Sequence, residues 1–221
     1  MEPKKIYEDE HILAMYKPRG LLTVAAKKKD PNLLYYAKEK FADGEMRIRA
    51  LHRLDRDSSG VVLFAKTKEC YEAAIDKKRF SDVRKVYLAL VLGVLKQKHG
   101  TITIPLPSRK NKNLKLAAKT SYRVLKVYPL PNREKASLVE VEIFHGRKHQ
   151  IRKHFSMVGH PLLMDRDYMD RKTYKYFQQL IGLRHFFLHA KKVSFPHFVK
   201  GGLVEINTGM PQELDEVEAK L

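Results

Sequence analysis

The chain has 221 residues, with 44 Lys and Arg against 25 Asp and Glu, a formal net charge of +19. That surplus exceeds what solubility requires and selects a polyanionic partner. Phosphate backbones are favoured over lipid, because no apolar run approaches a bilayer-spanning length and no signal-peptide pattern opens the chain.

The length suits one domain, 1–221, with a proper hydrophobic core, and no repeat, long low-complexity linker or internal boundary interrupts it. In chain order, β-branched and aromatic runs predict strands over 12–16, 61–65, 86–92, 121–128, 138–143, 188–194 and 203–206. Helical periodicity predicts helices over 33–41, 68–78 and 149–158. Many strands joined by hairpin-length gaps, with few helices, imply an α+β class: a mixed, largely antiparallel β-sheet with flanking helices. The closing residues Glu213, Asp215, Glu216 and Glu218 read as a short acidic tail from about 211. Cys70 is the only cysteine, which excludes an intramolecular disulfide and fits a reducing, cytoplasmic compartment.

The stretch His52, Arg53, Leu54, Asp55, Arg56, Asp57, Ser58, Ser59, Gly60 carries the most chemistry. It sets a carboxylate among the polyanion-binding groups His52, Arg53 and Arg56, at a turn into the apolar run Val61, Val62, Leu63, Phe64. A carboxylate held rigidly there and open on one side can serve as a nucleophile, which makes Asp55 the candidate. Asp55, Asp57, Ser59 and Gly60 also fall on calcium-loop positions, but Lys66 stands where a bidentate Glu is needed. The structural alternative is a turn in which Asp57 or Ser58 bonds its own backbone.

The charge is segregated. From Val83 to Arg133 there is no acidic residue, and Arg109, Lys110 and Lys112 lie in a stretch of loop composition, expected as an exposed basic loop beside the site. On a strand, Tyr87 shares a face with Lys85, suited to stacking on a base or handling a proton, or simply to packing. Farther on, Arg147, Lys148 and His149 precede a helix on which Ile151, Phe155 and Val158 face the core, with Arg152 to one side and within reach of a buried carboxylate. His145, His149 and His154 lack the spacing and the Glu of a zinc helix, so no metal is expected.

Taken together, these residues resemble the RluA-type pseudouridine synthases, whose central motif is HRLD, two variable residues, Ser or Thr, Ser, Gly. The Lys17, Pro18, Arg19, Gly20 turn, the Tyr87 strand ending at Gly93, the Gly146 to His154 stretch, and the segments His160 to Asp165 and Leu188 to Ala190 are similar to further family motifs in the same order. The resemblance implies a fold with a central basic active-site cleft and isomerisation of uridine to pseudouridine within RNA, without cofactor or metal. It implies Asp55 as nucleophile, Tyr87 at the base, Arg152 paired with Asp55, and Arg53 filling the stack when the target base flips out. RNA binding by His52, Arg53, Arg56, Arg147, Lys148, His149, Arg109, Lys110 and Lys112 is expected alongside. Met164 departs from the pattern, which usually has Gly there, and His145 stands where Thr is common. No separate RNA-binding module is expected before the catalytic domain. Residues 165–184, with Tyr174, Tyr176 and Phe177, look like the corresponding stretch of tRNA-modifying members, so tRNA is favoured over rRNA. No protein partner is inferred and a monomer is expected. The competing readings are a non-catalytic basic RNA-binding or RNA-folding protein, and a carboxylate-dependent glycosidic hydrolase, for which Asp57 lies too near in sequence to supply an opposed acid.

Overall fold

The structure, a computed structural model, describes residues 2–25, 30–42, 47–76, 82–108, 111 and 113–221. Contacts divide the chain into two compact units: Met1–Lys85 with Ala190–Gly209, and Val86–His189 with Met210–Leu221.

The first unit contains β1 (Lys4–Glu8), β2 (Ile12–Lys17), α1 (Leu33–Phe41), β3 (Arg49–Ala50), β4 (Ser59–Ala65) and α2 (Lys68–Ile75), and also β12 (Leu203–Asn207) with most of β11 (Leu188–Pro196). Its strands run in the order β1, β2, β4, β11, with β12 beside β11 and β3 beside β4. The β2–β4 pair is antiparallel and sets Lys17 opposite Gly60. Every residue of β4 is buried, as an uninterrupted apolar strand with both faces covered should be. The two helices start where side chains supply the first-turn acceptors: Asn32 Oδ1 receives the Tyr35 N–H and Thr67 Oγ1 the Cys70 N–H.

The second unit holds all but the first two residues of β5 (Arg84–Leu92), then β6 (His99–Ile102), β9 (Thr120–Pro129) and β10 (Lys135–Ile143), in the order β5, β10, β9, β6. A small antiparallel pair, β7 (Leu106–Pro107) and β8 (Lys115–Leu116), stands apart from these strands. Its helices are α3 (Gln150–Met157), α4 (Arg171–Ile181) and α5 (Gln212–Glu218). The core joins Leu88, Leu90 and Leu138 of the sheet to Phe177 and Ile181 of α4 and Leu214 and Val217 of α5.

The α+β class and the largely antiparallel pairing are as expected. Two helices differ from the expectation. Residues 171–181 form α4, opened by Asp170, whose Oδ1 accepts the Thr173 N–H, and closed by Gly182 at φ 61°. The acidic closing residues form α5 rather than a tail, because Leu214 and Val217 have a core to enter and the Tyr128 hydroxyl donates to Glu218. Among the described residues no helix is long and apolar enough to cross a membrane.

Candidate active site

Asp55 sits on the loop between β3 and β4, and two backbone segments lock that loop in place. Lys17 is wholly buried, and its Nζ donates to the carbonyl oxygens of Pro18 (2.9 Å), Leu21 (2.8 Å) and Arg56 (3.1 Å). A buried ammonium is tolerated only when its donors are used, and here they join the turn after β2 to the loop carrying Asp55. The same two segments exchange further bonds. The Gly20 N–H donates to the Arg56 carbonyl at 2.8 Å, and Arg56 Nε returns to the Gly20 carbonyl at 3.0 Å. Thr23 Oγ1 donates to the Leu54 carbonyl and accepts the Leu54 N–H, both at 3.1 Å.

From inside, the Leu63 N–H donates to His52 Nε2 at 3.1 Å. A ring nitrogen that accepts a backbone N–H is unprotonated, so His52 is neutral with its proton on Nδ1. Burial, reinforced by the nearby Lys85 charge, pushes its pKa down to about 3. Lys85 is itself buried, donating to the Val83 carbonyl at 3.2 Å, and burial brings it down to about 8. At the loop's exit Gly60 has φ 115°, and a Cβ there would lie 2.3 Å from the Ala190 carbonyl oxygen, so only glycine lets β11 approach. The result is a fixed loop on which Asp55 stays half-buried, flanked by the exposed Arg53 and Arg56.

In the second unit Tyr87 is buried on β5. The expected alternation of that strand does not appear as inside against outside, because every residue from Lys85 to Val91 is buried. Arg152, on α3, is only 4% exposed, while Asp165 is 0% exposed. Arg152 Nε donates to Asp165 Oδ2 and Nη2 to Oδ1, each at 2.7 Å, and Nη2 also reaches Asp167 Oδ2 at 2.8 Å. The guanidinium stands over the Phe186 and Tyr168 rings, 4.5 and 4.9 Å from their centroids. Asp165 and Asp167 were not singled out by sequence reasoning, since an acidic pair in a polar stretch reads as loop surface; the sequence signal was the position of Asp165 at the end of the His160 motif.

The entry to α3 is fixed from both sides. Gln150 Oε1 accepts the Arg147 N–H, and its Nε2 donates to the Lys119 carbonyl. His149 lies outside the helix at φ 54°, and its Nδ1 shares a 2.9 Å hydrogen bond with the Tyr168 hydroxyl. Lys148 is exposed and Arg147 half-buried. His154 is a structural residue: Nε2 donates to the Ile104 carbonyl and Nδ1 accepts from Thr120 Oγ1, both at 2.8 Å, so neither nitrogen is left for a metal. Among the described residues no three His, Cys, Asp or Glu side chains are grouped to hold an ion. Arg109, Lys110 and Lys112, expected as a phosphate-binding loop, lie outside the described residues.

Comparison with known proteins supplies the class of reaction. Ribosomal large subunit pseudouridine synthase C of Vibrio parahaemolyticus is 34% identical over 227 residues, which cover 98% of this chain and 69% of that protein. The dual-specificity RNA pseudouridine synthase RluA of Vibrio cholerae is 32% identical over 200 residues, covering 87% of this chain and 76% of that one. The solved structure of human RNA Pseudouridylate Synthase Domain Containing 1 superposes with a TM-score of 0.78 at 22% identity, over 98% of this chain and 87% of that one, and shares its fold. Residues 11–157 match the family described as RNA pseudouridylate synthase. The chain belongs to the RNA pseudouridylate synthase family and is an RNA pseudouridine synthase.

Proposed function

We propose that the protein isomerises a uridine in structured ribosomal RNA, with Asp55 as the nucleophile and the target base flipped out of its stack. The observation that carries this reading is the loop of Asp55, clamped by Lys17 and Thr23 while its carboxylate stays half-exposed between two outward arginines. Asp55 attacks C1′ as the N1–C1′ bond breaks; the freed uracil turns, C5 bonds C1′ and releases Asp55, the proton on C5 leaves, and N1 gains one. The isomerisation is redox-neutral and consumes no co-reactant; that it needs neither cofactor nor metal is what the resemblance implies. Tyr87 acts on the base and at the C5 proton, and Arg152 stabilises the aspartate, as the resemblance implies. Arg53, exposed and planar, occupies the gap left by the flipped base. Arg56, Arg147, Lys148 and His149 hold the RNA, and Arg109, Lys110 and Lys112 add phosphate contacts. The enzyme acts as a monomer in the cytoplasm.

Ribosomal RNA is preferred to tRNA here for two reasons. Residues 165–184, which suggested tRNA, have a structural account: Asp165 and Asp167 hold Arg152, and Phe177 and Ile181 are core residues. The relatives' names include a ribosomal large subunit synthase as well as a dual-specificity one. The test is to incubate purified protein with total RNA from cells lacking it and to map pseudouridine by base-resolved sequencing. New pseudouridine in large-subunit rRNA is expected. Sites confined to tRNA would reverse the choice of RNA, and no new site in either would defeat the reading.

A further inference from the structure

We propose that the cavity at the start of α4 is a subsite for one nucleotide of the RNA backbone, separate in function from the isomerised uridine. This rests on the RNA-modifying reading above and extends it to the recognition of the substrate. The cavity has about 530 Å³ and is lined by Arg166, Met169, Arg171, Tyr174, Lys175 and Gln178. That volume falls in the size class of small-ligand pockets. The lining offers three cations and no carboxylate, so it suits an anion.

Its charge is not neutralised locally. Arg166, Arg171 and Lys175 are exposed, and no ion pair is formed by any of them among the described residues. The carboxylates nearest in sequence are engaged elsewhere: Asp165 and Asp167 hold Arg152, and Asp170 accepts the Thr173 N–H. The first turn of α4 carries Arg171 and Lys172 and no acid, so at this helix start the capping Asp170 carboxylate is outnumbered by cations. Tyr174, half-buried beside Met169, gives the cavity a flat apolar wall. Cations for the backbone beside an aromatic face for the base are the parts of a single-strand binding site. The subsite is also firmly built, since the Tyr168 and Met169 N–H groups donate to the Asp165 carbonyl and the Asp165 side chain is locked to Arg152.

The test uses full-length Asp55→Asn protein, so that binding is read without turnover, and an rRNA stem-loop carrying 4-thiouridine. Adding Arg166→Gln, Arg171→Gln and Lys175→Gln together should lower the slope of log affinity against log salt by roughly 0.7, the contribution of the one single-strand phosphate the subsite holds. Affinity at about 0.1 M salt should fall roughly 5-fold on the same arithmetic. The photo-crosslink should map to the peptide containing Tyr174, persist in Tyr174→Phe and vanish in Tyr174→Leu. Inorganic phosphate and uridine monophosphate are titrated in parallel. If the triple substitution abolishes their binding but leaves RNA affinity unchanged, the cavity takes a free anion and the proposal is overturned. An unchanged salt slope in a triple variant that melts like the parent also overturns it. Failure of the wild type to make pseudouridine would count against the functional reading alone, because these binding results do not depend on turnover.

Discussion

Arg152 and Asp165 form a two-point ion pair with 2.7 Å at each contact, and both side chains are buried. Removing one partner of such a pair strands a buried charge, at a cost of about 3–5 kcal/mol. Asp165→Ala should therefore lower unfolding stability by about that amount and, through a displaced Arg152, slow pseudouridine formation. Asp165→Asn, which retains the shape and one acceptor, should fall between. Urea unfolding and single-turnover rates measure the two effects. Full activity in a destabilised Asp165→Ala protein would separate Arg152 from the chemistry.

Lys17 makes the corresponding prediction for the Asp55 loop. Lys17→Met keeps the aliphatic stem but leaves the carbonyls of Pro18 and Leu21 without the Lys17 donor, while the Arg56 carbonyl keeps only the Gly20 N–H. Each unsatisfied buried acceptor costs about 1–3 kcal/mol, and since water will reach some of them a total near 3 kcal/mol is expected. The kinetic effect should fall on kcat and KM together, because the loop that moves carries the nucleophile as well as Arg53 and Arg56. A kcat equal to that of the wild type would show that Gly20 and Thr23 hold the loop without Lys17.

Met164 has φ 66°, in the left-handed region that favours glycine, and is buried in the core with Leu163 and Phe177. The family pattern of Gly at this position is thus a backbone requirement that this chain meets with strain. Met164→Gly should recover about 1–2 kcal/mol of strain and lose about 2–5 kcal/mol of side-chain burial. The expected net result is a less stable protein, by about 1–3 kcal/mol in chemical unfolding. A more stable variant would mean that the side chain adds little to the core.

Stability should fall as pH drops below about 6.5, before the carboxylates titrate. Burial holds His52 down to about 3 and lowers His154, where the hydrogen bond to Ile104 opposes the burial without cancelling it. An unfolded imidazole titrates near 6.5, so between that value and the folded pKa the unfolded chain binds more protons and each group contributes up to about 1.4 kcal/mol per pH unit. Asp9 adds its loss only at lower pH, because hydrogen bonds from Tyr7, His11, Ile12 and His197 overcome its burial and hold it down to about 2. His154→Gln should flatten the decline between about pH 6.5 and 5. The same decline in that variant as in the parent would remove His154 from the account.

The sequence made some of this plain and hid the rest for identifiable reasons. β4 was legible because four apolar residues follow a turn at Gly60, and α1 because Asn32 precedes a periodic stretch. β3, β7 and β8 are two residues each and leave no periodicity to read. α4 was missed although Tyr174, Phe177 and Ile181 are spaced for one helical face and Asp170 precedes Arg171 as a cap; the flanking charges read as loop. At the site, the place of Asp55 on a turn into β4 was legible from the apolar run that follows it. Lys17 was not, because a lysine reads as a solvated cation until three carbonyls are found around it. Asp165 and Asp167 were hidden in the same way, their role depending on Arg152, which lies thirteen residues before Asp165 in the chain.

The central claim is that the Asp55 carboxylate is the nucleophile, and Asp55→Asn tests it most directly. The variant keeps the size of the side chain and removes its charge. Purified wild-type and variant proteins are compared in single-turnover pseudouridine formation on the rRNA stem-loop, with RNA affinity measured in parallel. Pseudouridine at background level with undiminished RNA binding is the predicted result. Turnover by the Asn variant above background would contradict the account, whatever its affinity for RNA.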